Sequence, residues 1–461
     1  MRIALFVHCF FPEHVHGTEV YTLDLARNLR SFGHEPVIVT AKFAGESPLP
    51  QPVTRTFFEG FRVFVVDKNH FPNRRVRDIY YQEAMREPLR RILEEIRPDI
   101  VHVTHLLNHT AALLEALDDL KIPSVATLTD FFGICHNFKL QAADGSLCQG
   151  PDKDASNCAA CHLKEKGQWR TAGPLDRFLG GGPATVTAKA LNTAVKAGLM
   201  GGVWKETFAD FVQRADFLKN RYRRHHTVIV QTEFLKKMYE SQGFTGPFHL
   251  IRSGVDIERG QKKRIPEGLP VKFGFLGQIQ EHKGVHVAVE ALRRLPRGTA
   301  ELHLYGSSDS PAYLRRLRAL AGDLPVFFHG NAGRDALPGI YAGLDFVILP
   351  SVWYENGPLV LLESLATGTP VIVSDVPGMS EFVRDGENGF LFARADADAL
   401  YGVLQRIVSD PPRYRQMSSR ASYPATSRDM TREILKVYES VLSDEAGSSR
   451  IAASAVDTAG V

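Results

Sequence analysis

Cysteine, excess charge and long apolar runs are all scarce in this chain, and each shortage excludes something. No uninterrupted apolar stretch among the 461 residues reaches the roughly 20 that a transmembrane helix needs. The opening MRIALFVHCFF is apolar but short, and Pro12 and Glu13 follow at once. It reads as a first buried strand and not as a signal peptide. Fifty-five Lys and Arg against 52 Asp and Glu leave a net charge of only +3, which calls for no nucleic-acid partner. With neither a transmembrane stretch nor a signal peptide the chain is expected to be cytoplasmic, and its five cysteines are then expected to be reduced unless some of them bind a metal. No G-x-G-x-x-G follows the first strand, which argues against a dinucleotide site there.

What is present is a regular alternation. RIALFV, PVIVTA, FRVFVVD, DIVHVTH and PSVATLTD read as strands. Helical spacing in TEVYTLDLARNLRSFG, YYQEAMREPLRRILEEIRP and AALLEALDDL separates several of them, with Gly33 as a helix stop. The series predicts an α/β fold with mostly parallel sheets. Residues 135–225 break the rhythm with four cysteines, glycines at 180–182 and 201–202, and the basic run RYRRHH. They read as an insertion with small helices of its own. TVIVQTEFLKKMYESQG then supplies the last strand and helix of a first domain, 1–250. VKFGFLG opens a second βαβ domain, 251–412. Helices over 413–444 are expected to cross back to the first domain, and the small, polar stretch 445–461 is expected to be a disordered tail.

The second domain contains YENGPLVLLES, where Glu355 and Glu363 flank an Asn-Gly-Pro turn and an apolar run. Pro358 suits the first turn of a helix that stops at Gly368. The preceding DFVILPS delivers this loop to the carboxyl edge of a parallel sheet, where open α/β folds bind ligands. The N–H groups of Gly357, Leu359 and their neighbours are expected to face outward and to hold a phosphate on the helix dipole. Carboxylates repel phosphate but accept from hydroxyls, so the pair suits ribose and sugar. The combination reads as a nucleotide-sugar site. The bland alternative is a solvent-facing Glu363 and an ordinary loop charge at Glu355.

YENGPLVLLE resembles the E-x7-E motif of retaining glycosyltransferases with the GT-B fold, family 4. FLGQIQEHKGVHVAVEAL looks like that family's opening of the second domain. TPVIVSDVPGMSEFVRDGENGFLF is similar to its closing signature, in which Asn-Gly-Phe ends a hairpin. HGTEVYTLDLARNLRSFGHEPVIVT looks like its glycine loop and first helix. The match covers most of residues 1–440. It implies two Rossmann-like domains whose parallel sheets face each other across a cleft, with the donor mainly on the second domain and the acceptor on the first.

The resemblance assigns roles by position. Glu363 takes the ribose of the donor nucleotide, and Glu355 lies against the transferred sugar. Lys283 stabilises the diphosphate leaving group, beside Asn356, Gly357, Pro358 and Leu359. The family's arginine, five residues before Lys283, is Gln278 here, which removes one fixed positive charge. Arg252 is one candidate to replace it. Gly17 matches the second glycine of the family's phosphate-approaching loop, with His16 where a first glycine is usual. Where many members have His-Asp, this chain has Thr129-Asp130. Any acid/base or orienting role then passes to Asp130, with His102 and His105 as acceptor-side candidates beside it. The resemblance implies retention, and front-face attack is favoured because no carboxylate nucleophile stands out in the first domain.

Two features lie outside that pattern. Cys135, Cys148, Cys158 and Cys161 form C-x12-C-x9-C-x2-C, a set able to hold a structural zinc ion; reduced thiols and a redox role are the alternatives. Cys9 reads as an apolar filler. Trp204, Phe208, Phe211 and Phe217 stand among Lys and Arg. They allow either an amphipathic helix at the inner face of a membrane or a packed connecting helix. The expected function is sugar transfer from a nucleotide diphosphate-sugar to a glycan or lipid-linked acceptor in cell-surface polysaccharide synthesis. No cofactor is required for the chemistry. The alternative is a non-catalytic sugar-nucleotide-binding or scaffold protein.

Overall fold

The structure, a computed structural model, describes residues 1–165, 182–258 and 269–457. Tertiary contacts divide the chain into two units: 1–251 together with 428–461, and 252–427.

The first unit is built on an eight-stranded sheet. Its strands are β1 Arg2–Phe6, β2 Glu35–Lys42, β3 Val53–Phe58, β4 Phe61–Asp67, β5 Ile100–Val103, β6 Ser124–Leu128, β7 Thr227–Val230 and β8 Phe248–Leu250. They lie in the order β3-β4-β2-β1-β5-β6-β7-β8. The centre of the sheet is buried on both faces: every residue of β5, β6 and β7 is buried, as parallel sheets require. Helices α1 Gly17–Ser31, α2 Arg86–Ile96 and α3 Ala112–Leu120 connect the early strands. Two strands escape the sequence reading. β3 pairs antiparallel with β4 through a two-residue turn at Glu59-Gly60, both at positive φ, the geometry of a tight hairpin. β8 is a three-residue edge strand.

The insertion carries α4 Ser156–Glu165, α5 Gly182–Lys196 and α6 Val203–Tyr222. Gly180 and Gly181 lie outside the described residues. Phe208 and Phe211 are buried against Val76, Ala159 and Leu163. Phe217 packs edge-on to Tyr81. The aromatics of this segment therefore face the protein, and the packed-helix reading holds over the membrane-surface one. Buried Asp210 locks the insertion to the body: both carboxylate oxygens accept from Arg75, and the Arg77 N–H adds a third bond. Helix α7 Glu233–Ser241 follows β7. No described helix is long and apolar enough to cross a membrane.

The second unit holds β9 Val271–Leu276, β10 Ala300–Tyr305, β11 Val326–Gly330, β12 Phe346–Leu349, β13 Val371–Ser374 and β14 Gly389–Phe392. They are parallel throughout and ordered β11-β10-β9-β12-β13-β14. Alternation splits the inner strands between two cores. Phe346 and Ile348 of β12 join the cluster under α8 Val285–Leu292, α9 Pro311–Ala321 and α12 Ala397–Ser409. Val347 and Leu349 face the opposite cluster with α10 Leu337–Gly343 and α11 Leu359–Ala366. Asn388-Gly389-Phe390 opens the parallel strand β14 and does not end a hairpin.

The return to the first unit starts later than the sequence suggested. Helix α13 Arg415–Arg420 stays with the second unit, where Met417 joins its core. Only α14 Ser427–Asp457 returns. Its Met430, Ile434, Val437, Tyr438 and Val441, at helical spacing, pack with Ile3, Leu25 and Leu29. The backbone is helical as far as Asp457, where a disordered tail was expected, and 458–461 lie outside the described residues.

Candidate functional site

In the second unit, two loops at the carboxyl edge of the sheet meet. One follows β9 and carries Gln278 and Lys283; the other follows β12 and carries Ser351 to Pro358. Gly284, at φ +69°, lets them touch: a Cβ there would sit 1.9 Å from the Pro350 carbonyl oxygen. The Val352 N–H donates to the His282 carbonyl across the same junction at 2.9 Å. This holds Lys283 against Glu355, with Nζ donating to Oε1 at 2.7 Å. The same oxygen accepts from Ser351 Oγ at 2.6 Å and Trp353 Nε1 at 2.9 Å. Burial alone would push the Glu355 carboxyl up, but Lys283 and these bonds outweigh it and hold it below its ordinary value. Glu355 is thus a fixed, buried anion and not a loose loop charge. The ammonium also lies 5.2 Å from the Trp353 ring centroid. Ser351 and Trp353 escaped the sequence reading, although they lie within four residues of Glu355.

Glu363, in the second turn of α11, is buried and accepts from Tyr341 Oη at 3.0 Å. Burial and the adjacent carboxylate push the Tyr341 phenol up, so it serves as a neutral donor. The solvent-facing reading of Glu363 is excluded. Two details differ from expectation. Gly357 has φ +59° as a glycine turn requires, but its N–H is taken by the Gly378 carbonyl at 2.9 Å. Pro358 caps α11 and does not lie inside its first turn. The helix N-terminus therefore begins with the N–H groups of Leu359 and Val360, one residue after the proline, beside Asn356. Gln278 is half-buried at the end of β9. Arg252 does not stand free to replace the expected arginine. It pairs with Glu381 at 3.0 Å and lies over the Phe382 ring.

In the first unit, a polar cluster gathers where β1, β5 and β6 end. His105 Nδ1 accepts from the Leu107 N–H at 3.0 Å, which makes Nε2 the protonated nitrogen, and Nε2 lies 2.8 Å from Asp130 Oδ2. Asp130 Oδ1 accepts from the Phe132 N–H at 2.8 Å. The Tyr239 hydroxyl donates to the Asp130 carbonyl and accepts from the Gly133 N–H. Both Asp130 carboxylate oxygens are held, yet the side chain stays partly exposed, whereas His105 is nearly buried. His105 is therefore a positioning residue for Asp130. His102 is different: its two nitrogens bond Tyr438 Oη at 2.6 Å and Thr127 Oγ1 at 2.7 Å, and burial lowers its pKa to about 3. It is a core residue, and the acceptor-side assignment of His102 is corrected. The Thr129 hydroxyl donates to the Thr104 carbonyl.

Gly17 opens α1 and is exposed, with open space around the position of a side chain. Two residues on, buried Glu19 accepts from the His16 N–H at 2.8 Å and from the Cys9 thiol at 3.2 Å. Cys9 is thus a hydrogen-bonded donor and not only an apolar filler. His8, Cys9 and Glu19 have ligand atoms within 4.8 Å of one another. No signal in the sequence singled out His8 and Glu19, because their meeting depends on the turn between β1 and α1.

The insertion brings Cys135, Cys148, Cys158 and Cys161 to the lining of one small cavity. None of the four forms a disulfide, and no three of their sulfurs lie within 4.8 Å of one another. Burial pushes the thiols of Cys135, Cys148 and Cys158 up, which disfavours a reactive thiolate.

Comparison with known proteins bears on the family and the fold. The family profile described as Glycosyl transferases group 1 matches residues 257–422, and that of Glycosyltransferase Family 4 matches 15–141. Together they account for more than half of the chain. An uncharacterized glycosyltransferase of Methanocaldococcus jannaschii is 35% identical over 138 residues, 30% of this chain and 35% of the relative. A glycogen synthase of Mycobacterium tuberculosis is 31% identical over 186 residues, 39% of this chain and 44% of the relative. The chain spans less than half the length of these curated relatives in the matched region. In fold, it is similar to Anabaena HepE, solved in complex with UDP and glucose, with a TM-score of 0.61 and 16% identity over 95% of this chain and 100% of that one. Two parallel-sheet α/β units, both family profiles and these relatives agree: the chain belongs to the family-4 type of glycosyltransferases with the GT-B fold.

Proposed function

We propose that the chain transfers a sugar from a nucleotide diphosphate-sugar to a glycan or lipid-linked acceptor, with retention of configuration, in cell-surface polysaccharide synthesis. The observation that carries this reading is the Lys283–Glu355 pair, 2.7 Å apart, beside the start of α11 with Glu363 buried one and a half turns on. A diphosphate suits the Lys283 ammonium and the first N–H groups of α11. The ribose hydroxyls suit Glu363, and the sugar hydroxyls suit Glu355. Asp130, oriented by His105 and the Phe132 N–H, suits an acceptor hydroxyl. Attack on the donor's own face lets the leaving phosphate take the acceptor proton.

The experiment is a calorimetric screen of UDP-, GDP-, ADP- and dTDP-sugars against the purified chain, with Glu363→Ala alongside. One nucleotide class should bind saturably and lose at least tenfold in affinity in the variant. The anomeric configuration of the product, read by NMR, tests retention. Binding without any turnover or hydrolysis would favour the non-catalytic reading. That alternative draws on Gln278 in place of a second cation and on the Thr129 hydroxyl being engaged by backbone.

A further inference from the structure

We propose that Cys135, Cys148, Cys158 and Cys161 bind one zinc ion as a tetrathiolate that pins the insertion to the turn after Asp130. The four side chains come from three separate pieces of chain, yet they line a single cavity of about 20 Å³, room for roughly one water-sized atom. Cys158 and Cys161, three apart on α4, share a helix face. Cys148 ends a tight turn closed by the Gln141–Leu147 bridge and its own N–H bond to Leu140. Its sulfur accepts from the Gly150 N–H at 3.4 Å and from Asn157 Nδ2 at 3.7 Å. Such donors stabilise a metal-bound thiolate and orient it. Cys135 closes a turn whose N–H bonds the Phe131 carbonyl at 2.7 Å.

A second observation points the same way. Arg214 of α6 is 3% exposed, and no carboxylate pairs with it among the described residues. Its Nη2 reaches the Phe132 carbonyl, while Nε has no hydrogen-bond partner. Its guanidinium lies close enough to Cys135 and Cys158 to feel charge on either sulfur. A buried guanidinium that meets a carbonyl and the Tyr80 and Phe132 rings, but no carboxylate among the described residues, is costly. Zinc bound by four thiolates carries two net negative charges, which would compensate it. Binding converts four thiols and Zn²⁺ into the tetrathiolate complex and releases four protons, with no redox change. The sulfurs must draw inward to reach about 2.3 Å from the ion. The inference does not depend on the proposed reaction. It has a consequence for the first unit, because the turn 131–135 joins Asp130 to the first ligand.

The full chain, expressed with added zinc and purified without chelator, should contain one zinc per molecule by mass spectrometry. Co²⁺ exchanged into it should show sulfur-to-metal charge-transfer absorption and the intense visible bands of a tetrahedral site. Chelator should release the zinc and bring four further thiols into reach of a thiol reagent. C158S and C161S should lose the metal, whereas C9S should keep it. If either cysteine variant fails to fold, the cobalt spectrum and thiol count of the unaltered chain still decide. A folded chain with no zinc and no sulfur-cobalt absorption would overturn the proposal. So would zinc retained in C158S, or a disulfide between any two of the four.

Discussion

Gly284→Ala puts a methyl group where the structure has no room. The new Cβ would lie 1.9 Å from the Pro350 carbonyl oxygen and 3.2 Å from Val352 Cγ1, so the two loops must part by more than about 1 Å to restore van der Waals distance. The residue must also hold φ +69°, which costs a side chain about 1 kcal/mol. Parting the loops puts the Val352–His282 hydrogen bond at risk, worth about 1 kcal/mol more. We expect the second unit to lose roughly 2–3 kcal/mol of stability. We also expect donor turnover to fall about 100-fold, as for a catalytic group displaced by about 1 Å. Gly298→Ala is the matched control: its φ is +78° and nothing lies within 4 Å of the added Cβ. It should cost only the 1 kcal/mol or so of backbone strain and leave turnover alone. Urea unfolding and UDP-sugar turnover, measured on both variants, separate strain from displacement. Equal behaviour of the two variants in both assays would refute the claim that the Gly284–Pro350 contact positions Lys283.

Two further outcomes follow from buried charge. Lys283→Met should destabilise the second unit by roughly 3 kcal/mol, because it strands a buried carboxylate. Adding Glu355→Gln should recover part of that loss in the same urea titration, and no recovery would mean that the pair is not coupled. His102 has a folded pKa of about 3 against an ordinary 6.5. The unfolded chain therefore binds the extra proton first, and stability falls as pH drops below about 6.5 towards 3. Between pH 7.5 and 5 this amounts to roughly 2 kcal/mol, and His102→Gln should make the stability–pH curve shallower by that amount. An unchanged slope would show that His102 is not the group that titrates.

Much of this architecture was legible along the chain. Strands with near-continuous apolar runs, such as Phe346–Leu349, and helices with one apolar face announce themselves through local periodicity. So did the two glutamates of YENGPLVLLE, because a turn followed by a helix sets their placement over a few residues. The hairpin strand β3 is not legible locally, because VTRTFF has no buried residue and so no face that points to a core. The return of the last helix to the first unit is legible, but its start is not, because 413–427 has no feature that tells which core Met417 will join.

The finer assignments belonged to tertiary structure alone. His102 and His105 stand in one short run, VHVTH, and nothing local separates them. Their difference comes from partners far away in sequence: Tyr438, 336 residues on, buries and bonds His102, while Asp130, 25 residues on, takes His105. Glu355 likewise owes its charge and fixed position to Lys283, 72 residues earlier, across a junction that only a glycine permits. Periodicity tells which face of an element turns inward. It carries no information on which distant side chain waits there, and in this protein that partner decides whether a polar residue is core, positioning group or site.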